Sequence, residues 1–506
     1  MTLPLRPTIE LYTAAQCRDL DRRAMAVLGV SGFELMQRAG SAAFETLLQR
    51  WPRARRLAVV CGKGNNAGDG YVIAGIARRL GLSVRLLQVG EAAALGGDAA
   101  RARDWAAECG VAPESAAAVP ADADVVVDAL LGTGLRGGLA GDFAAAAAAI
   151  NASDRPVLAV DVPSGVHVDT GSAAEGAVRA AVTVTFIGRK LGLHTGAGLD
   201  HAGEVIYRDL GVPEAVFREL PGCPWWRYEA LPDAYRVPPR GRNAYKHALG
   251  HVVVVGGDHD MGGAVIMAGE AALRCGAGMV SIITRAGHRP ALLARRPELM
   301  VADADDVEAV ADRLGRATCI VAGPGLGRTE WGSLLLATAL SRPVPTVLDA
   351  DGLTVLARDG LQAAGPLLVT PHAGEAARLL GCDAATVQGD RPAAALALAR
   401  QVAGVAVLKG AGSVIAAATG DAEAALLGVC AHGNPGMASA VLGDVQSGII
   451  GGLLAQGLTP AGADVAGTCL HALAADRAVQ RLGQRSLLAT DLLDAMVAVL
   501  AAERPA

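Results

Sequence analysis

Two rounds of alternation between short β-branched runs and Ala-rich helical runs, interrupted once by a Pro- and Trp-rich stretch, constrain what this chain can fold into. In the first round LAVVCG, SVRLLQVG, ADVVVDALLG, PVLAVDVPSG and AVTVTFIG are strand candidates. They are nearly continuous in apolar residues, which is the pattern of strands covered on both faces. YVIAGIARRLG and DAARARDWAAECG are helix candidates between them, and the AAAAAAI tract at 144–150 reads as plain helix. The expected fold is α/β, with a three-layer Rossmann-like sandwich over residues 1–215. Residues 216–238, with two of the five tryptophans, read as a linker. A fresh alternation then runs through GHVVVVGGD, GMVSIIT, ATCIVAGPGLG, PTVLDADG, PLLVTPHAGE and VAVLKGAGSVIAA, so residues 239–506 form a second α/β domain that does not repeat the first.

With 52% hydrophobic residues, only 3% aromatic and 64 glycines, both cores must be built from Ala, Val and Leu between elements that approach closely. A net charge of −5 gives no electrostatic footprint for nucleic acid. Nine scattered cysteines without a CxxC suit reduced thiols in the cytoplasm, and Cys61 and Cys430 read as small buried thiols. The opening MTLPLRPTIELYTAAQCRDLDRRA lacks the apolar core of a signal peptide, and no later run is long enough to span a bilayer. A soluble cytoplasmic protein is expected.

Ligands of open parallel sheets sit off the carboxyl ends of the strands, and here those ends carry unusual residues. The first run exits into GKGNNAGDG (62–70), the third ends on Asp128 followed by GTGLRGG (132–138), and the fourth ends on Asp161 followed by VPSG. Asn65, Asn66, Asp69, Asp128, Asp161 and Ser164 are therefore expected on one edge. Taken singly, each is as well explained by loop capping. A dinucleotide-binding reading of GKGNNAG has the wrong spacing, and the next strand lacks the acid that would bind a ribose.

In that order, GKGNNAGDGYV, DALLGTGLRG and VDVPSG resemble the NAD(P)H-hydrate epimerase domain, over residues 10 to 215. The resemblance implies that Asn65, Asn66, Ala67, Gly68 and Asp69, with Gly132, Thr133, Gly134, Leu135, Arg136, Gly137 and Gly138, bind the hydrated nicotinamide nucleotide. It makes Asp161 the catalytic contact to the substrate and gives Asn66, Asp128 and Ser164 to a potassium ion. An amide oxygen, one carboxylate and a hydroxyl are a hard, weakly charged donor set that suits a monovalent cation. Ala67 stands where the family more often has glycine.

The second half has no GxxxxGK[ST], which excludes a P-loop. Its glycines lie in GGDHDMGGA (256–264), GPGLG (323–327), TPHAGE (370–375), KGAGS (409–413) and AHGNPGMASAVLGDVQSGIIGGLLAQG (431–457). The last of these ends its loop on Gly443 and Asp444 at a helix start, where bare backbone N–H groups and a positive dipole end suit phosphate and a carboxylate could serve as base. A helix start that binds nothing is the competing reading. The ordered set resembles the ribokinase-like ADP-dependent NAD(P)H-hydrate dehydratase, over about 240–500. The resemblance places Ala264, Gly325 and His372 against the hydrated nucleotide, and Lys409, Gly410, Ala411, Gly412, Ser413 and Gly443 against the adenine nucleotide. It makes Asp444 the general base, also touching the substrate. For His372 an N-cap role stays open, and for Lys409 a solvated surface position. Asp349 and Asp351 could aid the magnesium ion that accompanies ADP, or simply form a turn. Between Met437 and Gly443 the family carries further glycines, whereas this chain reads Ala438-Ser439-Ala440-Val441-Leu442, which lack glycine's freedom for positive φ.

Together the two resemblances imply a bifunctional enzyme. An epimerase would interconvert the R and S hydrates of NADH and NADPH (NADHX and NADPHX), and a dehydratase would spend ADP to return the S form to NAD(P)H, releasing AMP and phosphate. The expected partners are these small molecules and further copies of the chain. Three alternatives remain: an epimerase beside a degenerate dehydratase, a hydroxyethylthiazole-type kinase, or a first half acting as a non-catalytic scaffold.

Overall fold

The computed structural model describes residues 9–115, 118–134, 137–237, 239–420 and 422–502. It divides into two compact units, Glu10–Cys223 and a second that begins at Pro224 and takes in the C-terminal half.

In the first unit the strands are β1 (Ile9–Tyr12), β2 (Arg56–Cys61), β3 (Ser83–Gln88), β4 (Pro113–Ser115), β5 (Val125–Ala129), β6 (Val157–Val160), β7 (Val182–Phe186), β8 (Arg189–Lys190) and β9 (Glu204–Arg208). Seven of them form one sheet in the order β4-β3-β2-β5-β6-β7-β9, parallel throughout. Alternate residues go to opposite faces. Leu57, Val59 and Cys61 pack with Met36, Ala67 and Ala99 of the helices Gly32–Arg50, Asn65–Arg79 and Gly97–Glu108. Ala58 and Val60 pack with Ala146, Ala147 and Ile150 of the helix Gly141–Asn151, which holds the AAAAAAI tract. This is the expected three-layer sandwich. The short β1 pairs with β8, setting Tyr12 beside Lys190.

In the second unit the strands are β10 (Cys223–Trp226), β11 (His251–Val255), β12 (Met279–Thr284), β13 (Met300–Asp303), β14 (Cys319–Ala322), β15 (Thr346–Leu348), β16 (Leu367–Val369), β17 (Val405–Leu408), β18 (Val414–Ala418) and β19 (Ala424–Cys430). Their order is β13-β12-β11-β14-β15-β16-β17-β18-β19-β10. The strands from β13 to β17 run parallel, and β18 turns back antiparallel to both β17 and β19. The single run read over VAVLKGAGSVIAA is thus a hairpin, with KGAGS as its turn. Against this sheet lies the helix Leu442–Ala455, packed backbone to backbone on the helix Gly262–Cys275: a Cβ at Gly448 would stand 2.1 Å from the Ala268 carbonyl oxygen. Close approach of this kind explains the glycine content of that helix.

The stretch read as a linker is structured on both sides of the unit boundary. Val216 of the helix Glu214–Arg218 is buried in the first core, while Trp226, Tyr228 and Leu231 are buried in the second. The Trp226 indole donates to the Leu427 carbonyl at 2.7 Å. Proline punctuation marked a break in the alternation, but the apolar residues inside it are drawn into the cores. Among the described residues no helix is long and apolar enough to cross a membrane and no disulfide joins any of the nine cysteines, with Cys61 and Cys430 buried as expected.

Candidate active sites

In the first unit β2, β5 and β6 are adjacent, so their carboxyl ends bring the three predicted segments to one sheet edge. The GKGNNAGDG segment is less loop than expected, because helix begins at Asn65. Asn65 is exposed at the helix start, whereas Asn66, Ala67 and Gly68 are buried in its first turn. Neither amide atom of Asn66 has a hydrogen-bond partner, although both are buried. Gly132 lies against that amide: a Cβ there would sit 3.3 Å from Asn66 Oδ1. Thr133 and Gly134 follow in a turn, with Gly137 and Gly138 exposed beyond them; Leu135 and Arg136 lie outside the described residues.

Asp128 is fully buried in β5. Its carboxylate accepts from Ser164 Oγ at 2.6 Å, the Ser164 amide at 2.8 Å and the Leu130 amide at 3.2 Å, while Ser164 Oγ accepts from the Leu131 amide. Burial pushes Asp128 up to about 6 against the pull of these donors. Two oxygen-bearing side chains are therefore locked together, with the unpartnered Asn66 amide against the glycine that follows Leu131.

Asp161 follows β6 directly, in the left-handed region at φ 66, which Asp tolerates better than most residues. One carboxylate oxygen accepts from Thr185 Oγ1 at 3.2 Å, the Phe186 amide at 3.4 Å and the Lys190 ammonium. Lys190, almost fully buried, also donates to the Phe186 carbonyl at 2.9 Å. Burial pushes Lys190 down, but Asp161 and its neighbours hold it above the ordinary lysine range. Asp69 is raised well above the usual carboxylate range, by burial first and then by the charge of Asp161. Asp21 is raised to about 6, again chiefly by burial. Sequence reasoning missed Lys190 and Asp21. The signal for Lys190 was a lysine closing IGRK at the end of an otherwise apolar strand run.

In the second unit Asp444 lies in the first turn of the helix Leu442–Ala455 and is 8% exposed. Lys409, at the end of β17, donates to Asp349 Oδ1 at 2.6 Å, and Ser447 donates to Asp349 Oδ2 at 2.6 Å. Gly443 faces this pair: a Cβ there would lie 3.1 Å from Lys409 Nζ and 3.3 Å from Asp349 Oδ2. Lys409 is thus no solvated surface lysine but a cation aimed at the helix start. Burial pushes it down, and the Asp349 and Glu375 carboxylates bring it above its ordinary range. Asp444 is raised to about 7, by burial and then by Asp349.

Behind KGAGS, a Cβ on Gly410 (φ 142) would come 3.0 Å from the guanidinium nitrogens of Arg391. That buried arginine donates to the Leu408 and Lys409 carbonyls at 3.1 and 3.3 Å, fixing the strand end that presents Lys409. Ala411 and Gly412 (φ 59) complete the turn, where Ser413 Oγ donates to the Gly410 carbonyl at 3.2 Å. Sequence reasoning missed Arg391 and Ser447. Gly325, at φ 58, closes over the helix carrying Ala264, and a Cβ on it would lie 2.8 Å from Met261 O and 3.2 Å from Ala264 Cβ.

His372 caps the helix Ala373–Leu380: Nδ1 accepts from the Gly374 amide at 3.0 Å, and Glu375 accepts in return from the His372 amide at 2.9 Å. Its ring remains more than half exposed. Asp351 is bound by the Gly327 amide and Arg328, and Asp349 by Lys409 and Ser447, so both carboxylates already have partners. Among the described residues no group of three or more His, Cys, Asp or Glu is placed to hold a metal ion.

The family profile described as YjeF-related protein N-terminus matches residues 32–192, and that described as NAD(P)H-hydrate dehydratase matches residues 252–497. The bifunctional NAD(P)H-hydrate repair enzyme Nnr of Coxiella burnetii is 46% identical over 491 residues, covering 95% of this chain and 97% of its own. The enzyme of the same description from Escherichia coli is 41% identical, covering 96% and 93%. A crystal structure of the ADP/ATP-dependent NAD(P)H-hydrate dehydratase of Bacillus subtilis with ATP/Mg2+ is 28% identical, with a TM-score of 0.49, and covers 55% of this chain and 98% of that one.

Proposed function

The chain belongs to the family of bifunctional NAD(P)H-hydrate repair enzymes, and from that membership we propose how its residues divide the work. The first unit interconverts the R and S hydrates of NADH and NADPH. The second dehydrates the S form at the expense of ADP. The observation that carries this reading is the Lys409, Asp349, Ser447 and Gly443 assembly, with the protonatable Asp444 beside it.

In dehydration the ring hydroxyl of the hydrate gives its proton to Asp444 as its oxygen attacks the terminal phosphorus of ADP, releasing AMP. The phosphate ester then leaves as phosphate, and loss of a ring proton restores the double bond of NAD(P)H. The Gly443 amide at the helix start and Lys409 hold the transferring phosphoryl group. KGAGS carries the adenine nucleotide, and Ala264, Gly325 and the exposed face of His372 line the hydrate. Magnesium, entering with the nucleotide, would neutralise phosphate charge.

In epimerisation Asp161, anchored by Lys190, takes the proton of the ring hydroxyl as the carbinol C–N bond opens to an aldehyde, and Asp69, raised by burial, gives a proton to the departing ring nitrogen. The nitrogen then re-adds to the other face of the carbonyl as both protons return. Asn65 through Asp69 and the turn from Gly132 to Gly138 line the nucleotide. The unpartnered Asn66 amide with Asp128 and Ser164 fits a potassium ion, which would supply a positive charge for the substrate without acting on a proton. The cytoplasm, where NAD(P)H is used and thiols stay reduced, is the proposed compartment. Incubation with hydrated NADH, ADP and magnesium, read as the return of NADH absorbance, tests the reading; absence of any return with ADP or ATP would refute it.

A further inference from the structure

Asp444 is aimed by a turn that its sequence disfavours. The residue before the helix Leu442–Ala455 is Val441, at φ 69 and ψ −10. A β-branched side chain enters this left-handed region only at a cost, which is why glycine is the usual occupant. Yet the turn is what fixes the first coil of the helix: the Val441 carbonyl accepts from the Asp444 amide at 3.2 Å and the Val445 amide at 3.4 Å. Immediately upstream, Ala438, Ser439, Ala440 and Val441 are all exposed.

The support comes from downstream. Leu442 is 3% exposed, and its carbonyl faces the Nε2 atom of His471 at 2.9 Å. His471 belongs to the long helix Pro460–Leu482 and is 5% exposed. Burial pulls this histidine down to about 4, so at neutral pH the ring carries one N–H. A carbonyl partner puts that hydrogen on Nε2.

We propose that His471 is a positioning residue for dehydration: its N–H clamps the Leu442 carbonyl and so holds the strained Val441 turn that presents Gly443 and Asp444. His471 and Val441 are then two halves of one device. A left-handed turn without glycine needs the clamp, and a glycine there would make the clamp dispensable. The proposal rests on the dehydratase reading of this site.

The test is a double-mutant cycle on the full chain with His471→Phe and Val441→Gly, using epimerisation in the same protein as internal control. His471→Phe keeps the ring shape and removes the donor, and it is expected to lower kcat for dehydration by about tenfold, the size of one lost hydrogen bond, with epimerisation unchanged. His471→Gln, which can still donate, should recover part of that loss. Val441→Gly in the His471→Phe background should recover most of it, whereas independent effects would simply multiply. Multiplicative losses, or an unchanged kcat in His471→Phe, would overturn the proposal. Should His471→Phe fail to fold, the double variant must fold and turn over near the Val441→Gly rate, and failure there overturns it equally. If wild-type protein shows no dehydration at all, the dehydratase reading falls instead; the ADP-induced melting shifts of the same variants then carry the comparison, with the same coupling expected.

Discussion

The ammonium of Lys409 stands 2.6 Å from Asp349, not from Asp444, and this choice of partner decides which acid of the site is ionised. Burial pushes Asp349 up, but Lys409 and Ser447 bring it below its ordinary range. Asp444 feels burial and then the negative Asp349, with Lys409 pulling the other way, and it rises to about 7. The pair thus favours the charged form of Asp349 and leaves Asp444 poised to take a proton near neutrality.

The first prediction follows from that value. A general base works in its ionised form, so kcat/KM for dehydration should climb as pH rises through about 7 and level off above. Asp444→Asn should lower turnover by roughly 10² to 10⁴-fold and abolish this limb, while ADP affinity changes little. Were Asp444 only a helix cap, its loss would cost about 1 kcal/mol of stability and leave turnover intact. Steady-state kinetics across pH, beside a melting curve, separate the two.

In the first unit, Asp161→Ala should abolish R/S interconversion. Lys190→Met should reduce it by roughly 10²-fold, because the anchored carboxylate loses its cation. Dehydration of purified S hydrate should be unaffected in both. Chromatographic separation of the epimers after timed incubation measures this, and interconversion at the wild-type rate in Asp161→Ala removes that residue from the mechanism.

Potassium should stimulate epimerisation more than lithium at equal ionic strength, since Asn66, Asp128 and Ser164 offer only oxygen donors around one carboxylate. Asn66→Ala should erase the difference between the salts. Equal wild-type rates in both would argue against a monovalent-ion site.

Legibility of the sequence was uneven, for physical reasons. Strands such as β2 and β11 announced themselves because residues covered on both faces must be apolar without a break. The candidate segments stood out because Asp128 and Asp161 fall at or next to the carboxyl ends of apolar strands and Asn66 and Asp444 in the first turn of helices. The partners that give these residues their chemistry were not. Lys190, Arg391 and His471 reach their partners from other segments of the chain, Ser447 turns from the Asp444 helix to Asp349, 98 residues away in sequence, and nothing local distinguishes a buried, paired lysine from a surface one. The proline-rich boundary misled in the opposite direction, because Trp226 and Leu231 gain more from burial than the break in pattern suggests. At 438–442 the missing glycines were visible in the sequence, and the structure meets that departure with a valine in the left-handed region.

Asp464 offers a check on stability. It is fully buried on the helix Pro460–Leu482, and neither carboxylate oxygen has a hydrogen-bond partner. Burial raises it well above the carboxylate range, so the folded chain keeps it protonated. Its folded value exceeds the unfolded one, so above a pH of about 4 unfolding releases a proton and stability falls as pH rises. Asp464→Leu should therefore raise the melting temperature of the second unit by several degrees, from relief of about 1–3 kcal/mol. Calorimetry should find the gain larger at pH 8 than at pH 5; a gain that shrinks with rising pH would contradict the account.

The central claim is that one chain repairs both hydrates through two separate sites, and one progress curve tests it most directly. A mixture of R and S hydrated NADH is given excess ADP and magnesium, and the return of NADH absorbance is followed to its end. Wild-type protein should convert the whole mixture. Asp161→Ala should show a fast phase that ends at the S fraction, and Asp444→Asn should show almost no return. Complete conversion at the wild-type rate by Asp161→Ala, or a fast phase in Asp444→Asn, would contradict it.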